Sequence, residues 1–504
     1  MPVYVIDNKL AGTPRRWVLD SAPLHVVALV ALLATAPVVE ALRVSAFSNR
    51  DLWWHLRSGL WILQNHSVPR SGLFSQYADR PWVASSWAFE ALMAAAYKLL
   101  GLRAVPILLM AFKLALAVVT FLLARGWRGV FWGAVGLSAI AQYVLVDLQP
   151  LPNFFSILFF GVELILLLQS RRRADLHSLF WLPLLFLLWA NFDSQFLNGL
   201  LLLGLYLLAE FTEFLLHRFG ASGISPPAHS LPKITALAGL SVIATCLTPY
   251  WFQLFPSVSQ VAYGRLEFEY FQEMSAFAFR RPEQFVLLLL VMAAFLVLGR
   301  QRSRDLFKLG VMAAGAMLAF RVQRDAWCVA LPAIAVIGDA LADYVPEATP
   351  PRGSHRKWEK PLVAMLTLVV FLAASLRIPN NESLMRRDSR VLPVKACDYI
   401  RANHLPPPLY NAYAWGGFLT WYLPEYPVAI DGRVNLYGNE VNKRYLQAAE
   451  GKQRLKTDPS FMSARTFLLE RGSGMTEALT TLPALRAQFR VVYQDDIATI
   501  LVRQ

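Results

Sequence analysis

The chain has 504 residues, 56% of them hydrophobic and only 16% charged, with a mean hydropathy of +0.41. A soluble protein of this length carries far more charge, so the composition points to a polytopic membrane protein. The formal net charge of +14 is concentrated in short loops between apolar runs, as in Arg171-Arg172-Arg173, Arg300/Arg302/Arg304 and Arg352/Arg356/Lys357/Lys360; that is the positive-inside pattern and argues against a nucleic-acid face.

In chain order, apolar runs fall at 22–44, 102–124, 129–146, 152–170, 177–192, 197–217, 234–250, 284–299, 306–322, 326–344 and 361–377. Each is near the ~20 residues needed to cross a bilayer, which gives about eleven spans. The first run is longer than the apolar core of a signal peptide and is expected to be a retained helix. With the Arg15/Arg16 end in the cytoplasm, the arginine-rich loops fall on that side and the C-terminal segment lies outside. Trp53, Trp54, Trp82, Trp87, Trp251 and Trp327 then mark the outer interface, and Trp17, Trp132 and Trp358 the inner one.

The outer loop 45–101 is not apolar enough to span. Its two ends, Asp51–Leu63 and Trp87–Leu100, are amphipathic and predict helices lying along the surface. Pro69, Gly72 and Pro81 mark turns between them. From about residue 380 the composition changes to short strand-like runs at 427–430, 466–469 and 498–502. Helical stretches at 394–403, 439–456 and 476–489 separate them. The expected organisation is a membrane module over 1–378 and a small α/β domain over 379–504, of a size that folds alone. Cys246, Cys328 and Cys397 have neither disulfide nor metal-site spacing.

Charged residues gather at the outer ends of the spans. Asp51 and His55 are four apart and share one face of a helix. Asp147 ends the third span and Asp193 the fifth; Glu267, Glu269 and Glu273 follow the seventh; Arg280 and Arg281 precede the eighth; Arg321, Arg324 and Asp325 join the ninth to the tenth. Carboxylates and guanidinium groups are therefore expected around one outer cavity, where the cations suit a lipid phosphate or pyrophosphate. Attack of an acceptor hydroxyl on a sugar C1 needs a base, and a positioned carboxylate commonly supplies ~10²–10⁴-fold of rate. Asp51 is the first candidate, with Asp147 or Asp193 as a second acid or donor-sugar ligand. The plainer readings are an N-cap for Asp51, a helix-face residue for His55, solvated span ends for Asp147 and Asp193, and snorkelling anchors for Arg321 and Arg324. The spacing of the acids neither demands nor excludes a divalent metal.

Lys113 and Glu163 both lie about eleven residues inside spans that run inward, so matching depth predicts that they pair. Unpaired, each would cost about 2.5–3.5 kcal/mol near the bilayer centre.

The motif Asp51-Leu-Trp-Trp-His55-Leu with Gly59, Val68-Pro69, Phe74-Ser75, Trp82, Trp87 and Glu90 resembles the first periplasmic loop of bacterial GT-C glycosyltransferases. The branch is the RgtA/B/C/D-like or dolichyl-phosphate-mannose mannosyltransferase-like one. Trp189-Ala-Asn191, Thr248-Pro249-Tyr250 and Arg321-Val-Gln-Arg324 are similar to further landmarks of it, and Asn411-Ala-Tyr-Ala-Trp415-Gly416-Gly417 and Asp431-Gly432-Arg433 to its appended outer domain. The chain departs from that branch at Gly72, Asp193-Ser194 and Leu151-Pro152-Asn153. The resemblance implies a GT-C fold in the bacterial inner membrane, a polyprenyl-phosphate sugar donor, and inverting transfer of a hexosyl or pentosyl group to a glycan, lipid or protein acceptor. It places the catalytic acid at Asp51 and the second-loop acid at Asp147. The charged groups read from the residues themselves, His55, Glu90, Asp193, Arg280, Arg281, Arg321 and Arg324, are the substrate-binding candidates. Asp431-Gly432-Arg433 is either a tight turn with a salt bridge or an acceptor-binding element.

Two other classes compete with the enzyme. A non-catalytic lipid-carrier or envelope-assembly scaffold would keep the fold without turnover. A transporter would place charges at the midplane and show internal repeats, whereas this chain has most of its charges at one edge and no visible repeat.

Overall fold

The computed structural model describes residues 22–43, 47, 49–126, 130–220, 229–263, 274–344, 358–450 and 455–504. A helix stands at each of the eleven apolar runs. Among the described residues, seven helical segments are long and apolar enough to cross a membrane, within Pro23–Arg43, Trp87–Arg125, Asn153–Arg173, Phe196–Arg218, Pro282–Arg300, Gln323–Asp343 and Glu359–Leu376. The other four, Phe131–Val144, Leu182–Phe192, Leu231–Thr245 and Leu306–Arg321, have 14, 11, 15 and 16 residues. At 1.5 Å per residue these are shorter than a bilayer core. The chain is a multi-pass membrane protein in which, among the described residues, seven helices are of full crossing length.

The predicted Lys113–Glu163 pair does not form. Lys113 Nζ meets Glu40 Oε2 at 3.0 Å, across from the helix Ala22–Arg43. Glu163 is fully buried, and neither of its carboxylate oxygens has a hydrogen-bond partner. It faces Gly199, where an added Cβ would lie 2.9 Å from Glu163 Oε2. Sequence position along a helix leaves its rotation open, and rotation decides which side chains face each other. The arginine run is also not simply solvated: Arg171 pairs with buried Glu210 and Glu213 at 2.9 and 2.7 Å, and Arg172 pairs with Asp339.

The two amphipathic stretches of the first outer loop form helices Leu52–Asn65 and Trp87–Leu100. They touch closely because Gly59 has no side chain: a Cβ there would fall 1.9 Å from the Glu90 carbonyl oxygen. The second helix continues through a short 3-10 turn into the helix Ala104–Arg125.

The C-terminal portion contains a four-stranded sheet of β1 (Leu409–Asn411), β2 (Thr466–Glu470), β3 (Phe489–Gln494) and β4 (Ala498–Arg503), in the order β1-β2-β4-β3. Only β1 and β2 run parallel; the other pairings are antiparallel. The run 427–430 is not a strand of this sheet. Val428 instead bridges to Ser75 of the outer loop, donating from its backbone N to Phe74 O (3.0 Å) and accepting from Gln76 N (2.9 Å). The expected helix at 476–489 is two short ones, Gly474–Thr481 and Pro483–Arg486, separated at Leu482 before Pro483. A helix not anticipated, Tyr413–Tyr422, packs on Leu52–Asn65 with Trp53 against both Phe418 and Trp421, ring centroids 5.3 and 4.8 Å away. The loop 45–101 and the C-terminal portion thus share a core and a backbone bridge.

Candidate active site

Between one end of the helical bundle and the C-terminal portion lies a cavity of about 800 Å³. Asp51, His55, Asp193 and Arg324 line it, together with Arg50, Asn153, Gln195, Tyr413, Arg433, Asn435 and Glu470. Four of the sequence candidates therefore converge on one space.

Asp51 occupies the N-cap position of Leu52–Asn65 but makes no side-chain capping bond. Its Oδ1 accepts from Trp54 Nε1 at 3.1 Å, and its backbone N donates to Asn49 Oδ1 at 2.8 Å. The plain N-cap reading is therefore set aside: the carboxylate turns toward the cavity side of the helix. One turn on, His55 Nδ1 shares a hydrogen bond with Glu90 Oε1 at 3.1 Å. Burial pushes the His55 imidazole down to about 3, so it is neutral at physiological pH. Glu90 is fully buried and does not line the cavity; it stands behind His55.

Asp193 follows directly on the helix Leu182–Phe192. Its Oδ2 accepts from Ser156 Oγ at 2.5 Å, and Ser156 Oγ in turn accepts from Trp189 Nε1 at 2.6 Å. Burial raises its carboxyl above the usual range, although the Ser156 hydroxyl, the Arg324 charge and backbone N–H groups pull the other way. Gln195 Nε2 donates to Asp325 Oδ1 at 2.8 Å, which ties the neighbouring loop to the segment carrying Arg324. The cavity wall thus carries carboxylates and guanidinium groups side by side.

Other candidates lie elsewhere. Asp147 is over half exposed and pairs with Arg281, which also meets Glu283 at 2.6 Å; none of these residues lines the cavity. Arg280 and Arg321 are exposed and also stand outside it. Four charged candidates that end spans on the same side thus point to a different surface, because sequence position at a helix end leaves side-chain direction open. Glu267, Glu269 and Glu273 lie outside the described residues. Among the described residues no three His, Cys, Asp or Glu side chains come together as a metal site.

Sequence reasoning gave no role to Arg50, Tyr413, Asn435 or Glu470. Arg50 adjoins Asp51 and was legible as a neighbouring cation. Tyr413, Asn435 and Glu470 come from the C-terminal portion, and only its docking brings them to the cavity. Burial, and then the negative charges of Asp51 and Asp431, push the Tyr413 hydroxyl well above the ordinary tyrosine value, so it stays protonated.

No family model matches the chain, and no curated protein matches its sequence. Its fold does match solved structures of the oligosaccharyltransferase of Archaeoglobus fulgidus. The apo crystal structure aligns at a TM-score of 0.54 and 14% identity, over 88% of this chain and 69% of that one. The form tethered to an acceptor peptide containing the NVT sequon gives 0.53 and 13%, over 94% and 74%. The complex of this enzyme, AglB, with an inhibitory peptide and a dolichol-phosphate gives 0.51 and 12%, over 92% and 72%. At such identities the likeness establishes a shared fold with that oligosaccharyltransferase and nothing about activity.

Proposed function

We propose that this protein is a membrane glycosyltransferase of the RgtA-like or dolichyl-phosphate-mannose mannosyltransferase-like branch. It transfers a hexosyl or pentosyl group, with inversion, from a polyprenyl-phosphate-linked donor to an extracytoplasmic acceptor. The observation that carries the reading is the convergence of Asp51 with Arg50, Arg324 and Asp193 on one cavity. The fold relative in complex with a dolichol-phosphate and a peptide supports a lipid-phosphate donor and a separate acceptor in general terms.

The residues divide the work as follows. Asp51 takes the proton from the acceptor hydroxyl while its oxygen forms the new bond to C1 of the sugar. The C1–O bond to the phosphate breaks on the opposite face, and its electron pair leaves with the phosphate. Arg324 and Arg50 face that growing negative charge. A phosphate is already a weak base, so no strong general acid is required. Asp193 takes the place proposed for Asp147 and accepts hydrogen bonds from donor-sugar hydroxyls, while neutral His55 is steadied by Glu90. Residues 1–378 form the membrane module and 379–504 the outer domain, in the inner membrane of a bacterium.

The test is Asp51→Asn in purified protein supplied with a solvent extract of host membranes containing lipid-linked sugars. Release of free polyprenyl phosphate is read by mass spectrometry. The wild type releases it and the variant, equally folded, does not. Turnover by the variant removes Asp51 from the mechanism, and no turnover by the wild type favours a scaffold.

A further inference from the structure

The turn Asp431–Gly432–Arg433 belongs to the C-terminal portion, yet its middle residue touches the candidate base. A Cβ built on Gly432 would lie 1.7 Å from Asp51 Oδ1 and 3.1 Å from Trp54 Nε1. Gly432 is not among the residues of positive φ. Glycine is therefore needed here for space, not for backbone conformation.

The turn is held firmly. Arg433 Nη2 meets Asp431 Oδ2 at 2.6 Å, and Arg433 Nε lies 3.0 and 3.1 Å from the two carboxylate oxygens. Arg433 N also donates to Asp431 Oδ1 at 2.9 Å. Both side chains are buried, at 1% and 0% exposure. The remaining guanidinium nitrogen, Nη1, donates to Leu73 O of the outer loop at 2.7 Å, and the group lies over the Trp82 ring at 4.9 Å. Arg433 is thus committed to Asp431 and to the outer loop, which makes it a poor phosphate ligand although it borders the cavity. A buried ion pair contributes little net stability after desolvation, and its best-attested use is to specify one arrangement of the chain.

We propose that Gly432 and the Asp431–Arg433 pair are positioning residues for Asp51, an inference that rests on the reading of Asp51 as base. The turn forms a wall against the carboxylate oxygen that accepts from Trp54 Nε1, on the same flank as the indole N–H. The fork of Arg433 holds Asp431, and its Nη1 on Leu73 O fixes that wall to the same loop that carries Asp51. The C-terminal portion therefore completes the reacting centre and is more than a platform for an acceptor.

Gly432→Ala tests this, assayed with the same membrane extract titrated by dilution. Displacing a catalytic group by about 1 Å can cost on the order of 10²-fold. The expected result is a fall in kcat of that order, with the half-saturating extract concentration little changed, the acid limb of the kcat–pH profile moved, and a wild-type unfolding temperature. A folded Gly432→Ala protein with wild-type kcat and pH profile overturns the inference. If the alanine variant does not fold, Arg433→Lys carries the same test, because it keeps the charge and the glycine but loses the fork; wild-type kcat in that variant overturns the inference equally. Asp51→Asn separates the two readings. If it turns over, the base assignment falls; if it is dead while Gly432→Ala is normal, only the positioning role falls.

Discussion

Trp54 donates its indole N–H to Asp51 Oδ1 at 3.1 Å from three residues along the same helix start. The carboxylate is thereby tethered within its own surface helix before any substrate arrives. A hydrogen bond to a charged group contributes about 1.5–3 kcal/mol. Trp54→Phe keeps the ring and removes the donor, and is expected to lower kcat by about 10- to 100-fold, in line with that energy. Release of polyprenyl phosphate by the variant measures it, and an unchanged kcat dismisses the tether.

Arg324 borders the cavity, whereas Arg281 and Arg321 do not. Removing a cation that meets a leaving phosphate is expected to cost Arg324→Gln about tenfold or more in kcat/KM. Arg321→Gln is expected to stay within about twofold, as for a surface change. Equal losses in the two variants would show that the phosphate does not sit at the cavity wall.

The ion pair Lys113–Glu40 lies within the helical core, with side chains 11% and 2% exposed. Breaking one partner of a buried pair typically costs about 3–5 kcal/mol, because the other charge is left behind. Lys113→Met and Glu40→Gln are expected to destabilise singly, with the double variant milder than their sum. The pair Lys113→Met with Glu163→Gln is expected to be additive. Thermal unfolding in detergent decides between the two partners.

His55 has an ordinary imidazole value of 6.5 when unfolded and about 3 when buried. A depressed value means the unfolded chain takes up the proton first, so stability is full above 6.5 and is lost as pH falls toward 3. His55→Gln should reduce the fall in unfolding temperature over that window. An unchanged acid sensitivity would mean that the ring is hydrated in the protein.

For Asp193 the sign reverses. Burial raises its folded value above the usual aspartate value of 3.8. Its contribution to stability is therefore present below that value and lost as pH rises through the folded one. Asp193→Asn should gain relative to wild type on going from acid to neutral pH while losing the donor-sugar contact. A wild type that gains instead would show Asp193 to be stabilised as a charged group by Ser156 and Arg324.

Composition and hydropathy were sufficient to establish a multi-pass membrane protein, to place a helix at each apolar run, and to put Asp51 at the start of an amphipathic helix. Those properties follow from local periodicity and from the cost of burying charge in lipid, and both are written along the chain. His55, Asp193 and Arg324 were also legible as polar residues at helix ends. What lay beyond reach depended on rotation and docking. Lys113 turned to Glu40, Asp147 and Arg281 turned out to the surface together, and Glu90 withdrew behind His55. Gly432 reached the carboxylate, and Tyr413 the same cavity, from more than three hundred residues away, on a portion joined to the loop by a backbone bridge between Ser75 and Val428. Helix order is a property of the sequence, but the direction in which a side chain faces is settled only when neighbouring surfaces have packed, because packing selects among rotations that the local pattern leaves equal.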